Sequence, residues 1–207
     1  MSSSPRVVMR SRFAVAGPAV VAVAAVVVWV LQVRHGGFSE LARDGVVPVA
    51  ALVGAVLWWL WPVVVLEDGG LLVRNLARTH VIPWAAYDGV DTRWALKIKL
   101  KGRRPITATA CAATGGITRR DHVAPEIPEA YFYSDLPQLR FGADARAAGM
   151  LIERRSPRWQ EEGLGPRVKT TNANALGTEV RSTWNWAALA VLAAALAAIA
   201  VRVATIF

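Results

Sequence analysis

The chain has one cysteine, Cys111, three histidines and only four lysines among its 207 residues. A single cysteine excludes an intrachain disulfide and a zinc cluster built on thiolates. His35 and His80 have no partner at ligand spacing, and the chain lacks a P-loop, a dinucleotide fingerprint and a zincin motif. No cofactor or metal is therefore expected. Charge is scarce as well, at 19% of residues against 54% hydrophobic, and the scarcity is concentrated. Phe13 to Val33, Val46 to Leu66 and Trp184 to Val201 contain no charged residue, and only Arg202 interrupts the last run before Phe207. About 20 apolar residues let a helix cross the hydrocarbon core. A helix buried in a soluble core normally keeps a polar stripe, which these runs lack. Arg6, Arg10 and Arg12 would suit a signal peptide. The apolar stretch after them is too long for one, and no small-residue cleavage site follows Val33.

These absences predict an organisation. A basic N-terminal tail covers 1–12, a first transmembrane helix 13–33, a short loop 34–45 and a second transmembrane helix 46–66. A folded domain covers 62–155, a linker 156–183 and a third transmembrane helix 184–207, in which Arg202 snorkels to an interface. The first two helices hold no ionisable residue, which argues against a transporter or channel.

What charge there is carries information. The formal net charge is +9, with 20 arginines, and residues 66–183 hold 18 basic and 13 acidic side chains. That modest excess suits a domain beside anionic head groups rather than a nucleic-acid reader. Arg6, Arg10 and Arg12 flank the first helix without an acid, whereas the loop pairs Arg34 and Arg43 with Glu40 and Asp44. Arg74 and Arg78 follow the second helix, and Arg167, Lys169 and Arg181 precede the third. Positive residues favour the cytoplasmic side, so the N-terminus and the domain are expected inside and the C-terminus outside, with the reverse as the alternative. Trp58, Trp59 and Trp61 end the second helix, and Trp184 and Trp186 begin the third. Both sets suit one interfacial aromatic belt. Ala190, Ala194 and Ala198, with Ala193 and Ala197 beside them, offer a small-residue face for helix packing, within the chain or on a partner.

The domain reads as β structure. Val63 to Glu67, Leu71 to Asn75, Thr79 to Ile82 and Val90 to Leu96 are strand-like, broken by Asp68-Gly69-Gly70, Pro83 and Asp88-Gly89. Leu96, Ile98 and Leu100 alternate with Lys97, Lys99 and Lys101, the period of a half-exposed antiparallel strand. Gly102 turns the chain into Ile106 to Ala112. Thr114 to Pro128 is a loop. A helix is predicted after it, capped by Ser134 or Asp135, with Pro137 in its first turn and a stripe of Leu136, Leu139, Ala143, Ala147, Met150 and Leu151. The fold class is thus membrane helices plus a small β-rich domain, an antiparallel barrel or sandwich capped by one amphipathic helix.

Strands followed by one helix is the order of a pleckstrin-homology (PH) fold. The stretch Glu67 to Val90, EDGGLLVRNLARTHVIPWAAYDGV, resembles the bacterial PH-like domain named after a low-molecular-weight protein antigen. The residues that carry the resemblance are Asp68, Gly70, Leu71, Val73, Arg74, Asn75, Arg78, Thr79, Ile82, Pro83, Trp84 and Val90, within roughly residues 62–112. The resemblance implies a PH-like domain behind two membrane helices and implies no enzymatic activity; the third helix departs from it. Physically, Gly70 permits a tight hairpin, Asn75 tolerates a left-handed turn, and Trp84 fills one end of a small barrel.

Asp121-His122 beside Arg119-Arg120 is the one local acid/base cluster, and it lacks a nucleophile. Classical phosphoinositide-binding PH domains carry basic residues on the first hairpin, where this chain has Glu67-Asp68-Gly69-Gly70. Its basic residues gather instead as Lys97, Lys99, Lys101, Arg103 and Arg104 on one hairpin and Arg119 and Arg120 on the next loop. These are the candidate contacts to an anionic surface. The expected partners are membrane lipid and an unidentified protein. The leading reading is a non-enzymatic interaction or scaffolding module; a sensor of anionic lipid and an enzyme with an unrecognised site are the alternatives.

Overall fold

Pro62 and the three valines after it end the second apolar segment as a helix. In the computed structural model, which describes residues 5–112, 136–157 and 177–205 (backbone alone at 40–42 and 112), helix α1 spans Ala16–Asp44 and α2 spans Val46–Ala55. A π turn, Val56–Leu60, continues α2, and strand β2, Val63–Glu67, follows. Proline stops the helical ladder, and β-branched residues favour the pleated conformation. Val63, Val64, Val65 and Leu66 are all buried among strands. A membrane helix reaching Leu66 is therefore corrected: its last four residues belong to the β domain.

The chain divides into two units, 1–12 with 62–183 and 13–61 with 184–207. The first is the β unit. Its strands are β1 (Arg6–Arg10), β2, β3 (Gly70–Arg74), β4 (Arg78–Pro83), β5 (Tyr87–Asp91), β6 (Ala95–Leu100), β7 (Arg103–Ala112), β8 (Gln138–Gly142) and β9 (Arg181–Trp184). A single 3-10 turn, Trp84–Ala86, joins β4 to β5. One sheet has the order β8-β1-β2-β3-β4-β9 and the other β5-β6-β7. The first is mixed rather than wholly antiparallel, because β8 pairs parallel with β1, Arg6 opposite Gln138 and Arg10 opposite Gly142.

Part of the segment expected as a free basic tail is strand β1. Val7 and Met9 are fully buried while Arg6 and Arg10 lie outward in alternation, so the strand serves the core with one face. It pairs antiparallel with β2, Val7 opposite Leu66 and Met9 opposite Val64. The core joins Val7, Met9, Leu66, Leu71, Val73 and Ile82 from one sheet to Leu96, Ile98 and Ala108 from the other.

The amphipathic helix starts later than its stripe predicts. Pro137 precedes strand β8, and helix α3 spans Ala145–Arg155 with Asp144 as its cap, its carboxylate accepting from the Ala147 amide at 2.8 Å. Ser134 and Asp135 lie outside the described residues. The cap satisfies an amide that the first helical turn leaves without a partner. Ala147, Ala148, Leu151 and Ile152 are buried. Gly149 permits close approach, since a Cβ there would stand 2.4 Å from Thr92 Cγ2. In the sequence Gly149 reads as a helix weakener; in the fold it seats α3 on β5 and β6.

In the helical unit, α4 spans Trp186–Ala204. Two helices are long and apolar enough to cross a membrane, Ala16–Ser39 and Trp186–Ala204; Val46–Leu60 is apolar but shorter. The expected loop 34–45 is instead mostly helix, broken at Gly37, whose φ is 69°. Gly17 lets the Trp59 indole lie against α1, because a Cβ there would fall 2.6 Å from the ring. Helix α4 packs on α2 within the chain. Its covered side holds Ala188, Leu192, Ala195 and Ile199, whereas Ala190, Ala193, Ala194 and Ala197 are exposed. Of the alanine face read from the sequence, only Ala198 is partly covered within the chain. An alanine-rich helix offers several small-residue stripes, and near its end Arg202 pairs with Asp44.

Candidate functional site

The basic hairpin is β6 and β7, closed by Lys101-Gly102 with Gly102 at φ 66°. Leu96, Ile98 and Leu100 enter the core, which turns Lys97 and Lys99 to the other face. Lys97 lies opposite Asp91 on β5 and Thr107 on β7. Lys99 is exposed, and its charge acts on Asp91 and on Glu153 of α3. The hairpin's five cations are therefore unequal. Lys97 and Lys99 sit near acids, whereas Lys101, Arg103 and Arg104 crowd the exposed tip and make no ion pair among the described residues. Arg119, Arg120, Asp121 and His122 lie outside the described residues.

Strand register in the six-stranded sheet shows which strand ends lie together. Arg10 is at the end of β1 that leads to α1, and Val63 is at the start of β2, just after α2 and its π turn. The two are at the same end of the sheet, since Met9 faces Val64. Val63 also faces Arg74, and Arg74 faces Thr79, so the β3–β4 turn lies at this end too. Ser182, two residues before Trp184, bonds His80 at 2.7 Å, and His80 faces Val73 next to Arg74. The places where the chain leaves the β unit for apolar helices are thus gathered at one end.

Strand β7 crosses that end. Asn75 clamps it: Nδ2 donates to the Thr107 carbonyl at 2.8 Å, and Oδ1 accepts from the Thr109 amide and hydroxyl, both at 3.0 Å. Ser11 N–H donates to the Ala110 carbonyl at 2.7 Å. Asn75 has no positive φ, so its expected role as a left-handed turn residue is corrected. Its amide supplies the donor and acceptor that β7 would otherwise take from a neighbouring strand.

The opposite end of the sheet is acidic, and its acids are engaged. Glu67 pairs with Arg6 at 3.0 Å. Arg155, 3% exposed, donates to the Pro5 carbonyl at 2.7 Å and reaches Asp68 at 3.5 Å. Burial pulls this guanidinium down to about 10, against the opposing pull of Asp68. Trp84 Nε1 donates to the Asp68 carbonyl at 2.9 Å, and the ring meets Tyr87 edge-on at 5.4 Å. A Cβ at Gly70 would fall 2.2 Å from the Ile82 carbonyl oxygen. The motif residues of this hairpin thus bind one another.

The sequence leaves unconnected what the register connects. Arg10, Arg74 and Arg78 stand at strand ends on the side where the chain leaves the sheet. Arg74 is lowered from its usual value by burial and by the nearby charge of Arg10. At the far end of β6, Asp91 holds Arg93 through hydrogen bonds that bring its carboxyl down to about 2, and Trp94 beside it is 79% exposed. No group of three or more side chains among the described residues could hold a metal ion. Compared with family models, curated proteins and solved structures, the chain matches none of them.

Proposed function

We propose that this chain is a bacterial integral membrane protein that presents a PH-like domain on the cytoplasmic side as a non-enzymatic interaction module for a protein partner. The observation that carries the reading is β1. This strand precedes the first apolar helix, yet it lies between β2 and β8 in one sheet. The chain between Arg12 and Pro62 must then leave and return on one face of any bilayer it enters, so α1 and α2 form a hairpin. At ~1.5 Å per residue, Val46–Leu60 rises ~22 Å, shorter than the ~30 Å core, so its return needs tilt or local thinning. The single helix α4 then puts the C-terminus on the opposite face. The order β1–β4, β5–β7 and α3 supports a PH-like domain, with β8 and β9 as additions.

Cysteine accessibility in right-side-out and inverted membrane vesicles tests the layout. Single cysteines placed at Ser3 and at Phe207 should label from opposite faces in a carbonate-resistant protein. Labelling from one face, or extraction by carbonate, overturns it. The partner is tested by mild-detergent purification at native abundance, where a chain that is always monomeric and alone counts against an interaction module.

A further inference from the structure

Strand β6 has an exposed corner at each of its ends, and the two lie far apart. Lys101, Arg103 and Arg104 form the β6–β7 tip. Lys101 N–H donates to the Ala86 carbonyl at 3.0 Å, and Trp84 N–H to the Gly69 carbonyl at 3.2 Å, so this tip stands by the acidic Asp68–Gly69 turn. That turn is one strand length from Arg10 and Val63, where the chain leaves the β unit. From Lys101 back to Leu96, β6 covers ~17 Å. Leu96 faces Ala108 of β7. Asn75 binds Thr107 and Thr109 on either side of it, and Ser11 N–H donates to the Ala110 carbonyl at 2.7 Å. Ser11 adjoins Arg12, the last residue of the β unit's first segment. Trp94 stands ~7 Å of strand beyond Leu96, away from the tip. The β5–β6 corner therefore lies at the end where the chain departs, and the basic tip does not.

We infer that Trp94, with Arg93 beside it, anchors the β unit on the bilayer its own chain enters, the indole lying among the lipid head groups. This rests on the membrane reading above and adds a contact to it. Three arguments support it. The first is the side chain. Trp94 is 79% exposed, and an indole, apolar in body with one N–H donor, suits a boundary that is apolar on one side and wet on the other. The second is the brace behind it. The Asp91 carboxylate accepts from the Arg93 amide at 3.1 Å and from its guanidinium at 3.3 and 3.1 Å. Thr92 packs on Gly149 of α3. The corner is thus held from two sides while its largest side chain points outward. Asp91 also offsets the charge of Arg93, whose side chain is 83% exposed and free to turn its head to water or phosphate while its stem covers apolar surface. The third is place. Covalent attachment to membrane helices keeps head groups at a high effective concentration near this end. This favours the chain's own bilayer over a soluble partner.

Tryptophan emission tests this without an attached probe. The full chain is reconstituted in phosphatidylcholine vesicles and washed with carbonate. Subtracting the emission of Trp94→Phe from that of the wild type isolates Trp94. Lys101→Trp, added to Trp94→Phe, supplies a reference: the same ring at the opposite corner of β6. Phosphatidylcholine brominated in the upper acyl chain should quench the Trp94 emission about threefold more than the reference, and aqueous iodide should quench the reference more by a similar factor. Equal or reversed quenching, in a chain that stays integrated, overturns the anchor and leaves the membrane reading standing. Emission shielded from iodide yet untouched by brominated lipid means that protein covers the ring, a second copy or a partner, and overturns the anchor too. A chain washed from the vesicles overturns the membrane reading and the anchor together.

Discussion

Replacing Asn75 separates a turn residue from a clamp between two sheets. Its side chain makes three hydrogen bonds to β7 at 2.8, 3.0 and 3.0 Å. Each contributes roughly 1 kcal/mol net, less where water can replace the partner. Asn75 is half-buried, so Asn75→Ala should cost about 2 kcal/mol, or about 10 °C in Tm for a domain of this size. Asn75→Gly is the decisive companion. A left-handed turn would welcome glycine; a clamp loses everything with it, so Gly should be at least as damaging as Ala. Asn75→Asp keeps both acceptor bonds but sets a carboxylate against the Thr107 carbonyl, and should not restore stability. Thermal unfolding in mild detergent measures the series, and amide exchange at Thr109 localises the effect. A Gly variant as stable as wild type, or unchanged protection at Thr109, would refute the reasoning.

Other positions make distinct predictions. Gly70→Ala drives a Cβ into the Ile82 carbonyl and should destabilise by at least ~2 kcal/mol in chemical denaturation, with the turn backbone unable to relax cheaply. Arg155→Met strands the Pro5 carbonyl and should expose β1 to limited proteolysis, with Arg155→Lys only a partial rescue because a single ammonium cannot match the fork that reaches Pro5 and Asp68. Burial, aided by Asp144, pushes the Cys111 thiol up to about 12 from 9.0. The unfolded chain therefore releases this proton first as pH rises, and the folded state loses up to ~1.4 kcal/mol per pH unit between these values. Cys111→Ala should flatten that alkaline slope in denaturation curves taken at a series of pH values.

Local chemistry was legible in the sequence. Charge-free runs announced apolar helices, alternation at Leu96 to Lys101 placed the core and outer faces of β6, and Gly70 and Trp84 declared a tight turn and a buried ring. The five hairpin cations were found because they are adjacent in sequence. What the sequence could not express was pairing between distant segments. Arg6–Arg10 reads as a basic flank because its neighbours in the chain are arginines and an apolar helix; only β2 and β8 make it a strand. Val63–Leu66 is equally apolar as membrane helix or sheet, and β1 with β3 decides. The local pattern put the helix cap at Ser134 or Asp135, whereas pairing with β1 makes Gln138–Gly142 a strand and leaves Asp144 to cap α3. The same holds for α4, whose alanines offer several faces and whose contact with α2 selects one. Composition and local period thus determined the apolar character of the helices and the strand type of β6. Tertiary structure alone decided which ends meet, because hydrogen-bond register and side-chain packing depend on residues far apart in the chain: the bonds from Asn75 and Ser11 bring the middle of β7 to the end of the sheet where the chain departs, while the Lys101–Ala86 and Trp84–Gly69 bonds set the basic tip by the acidic turn.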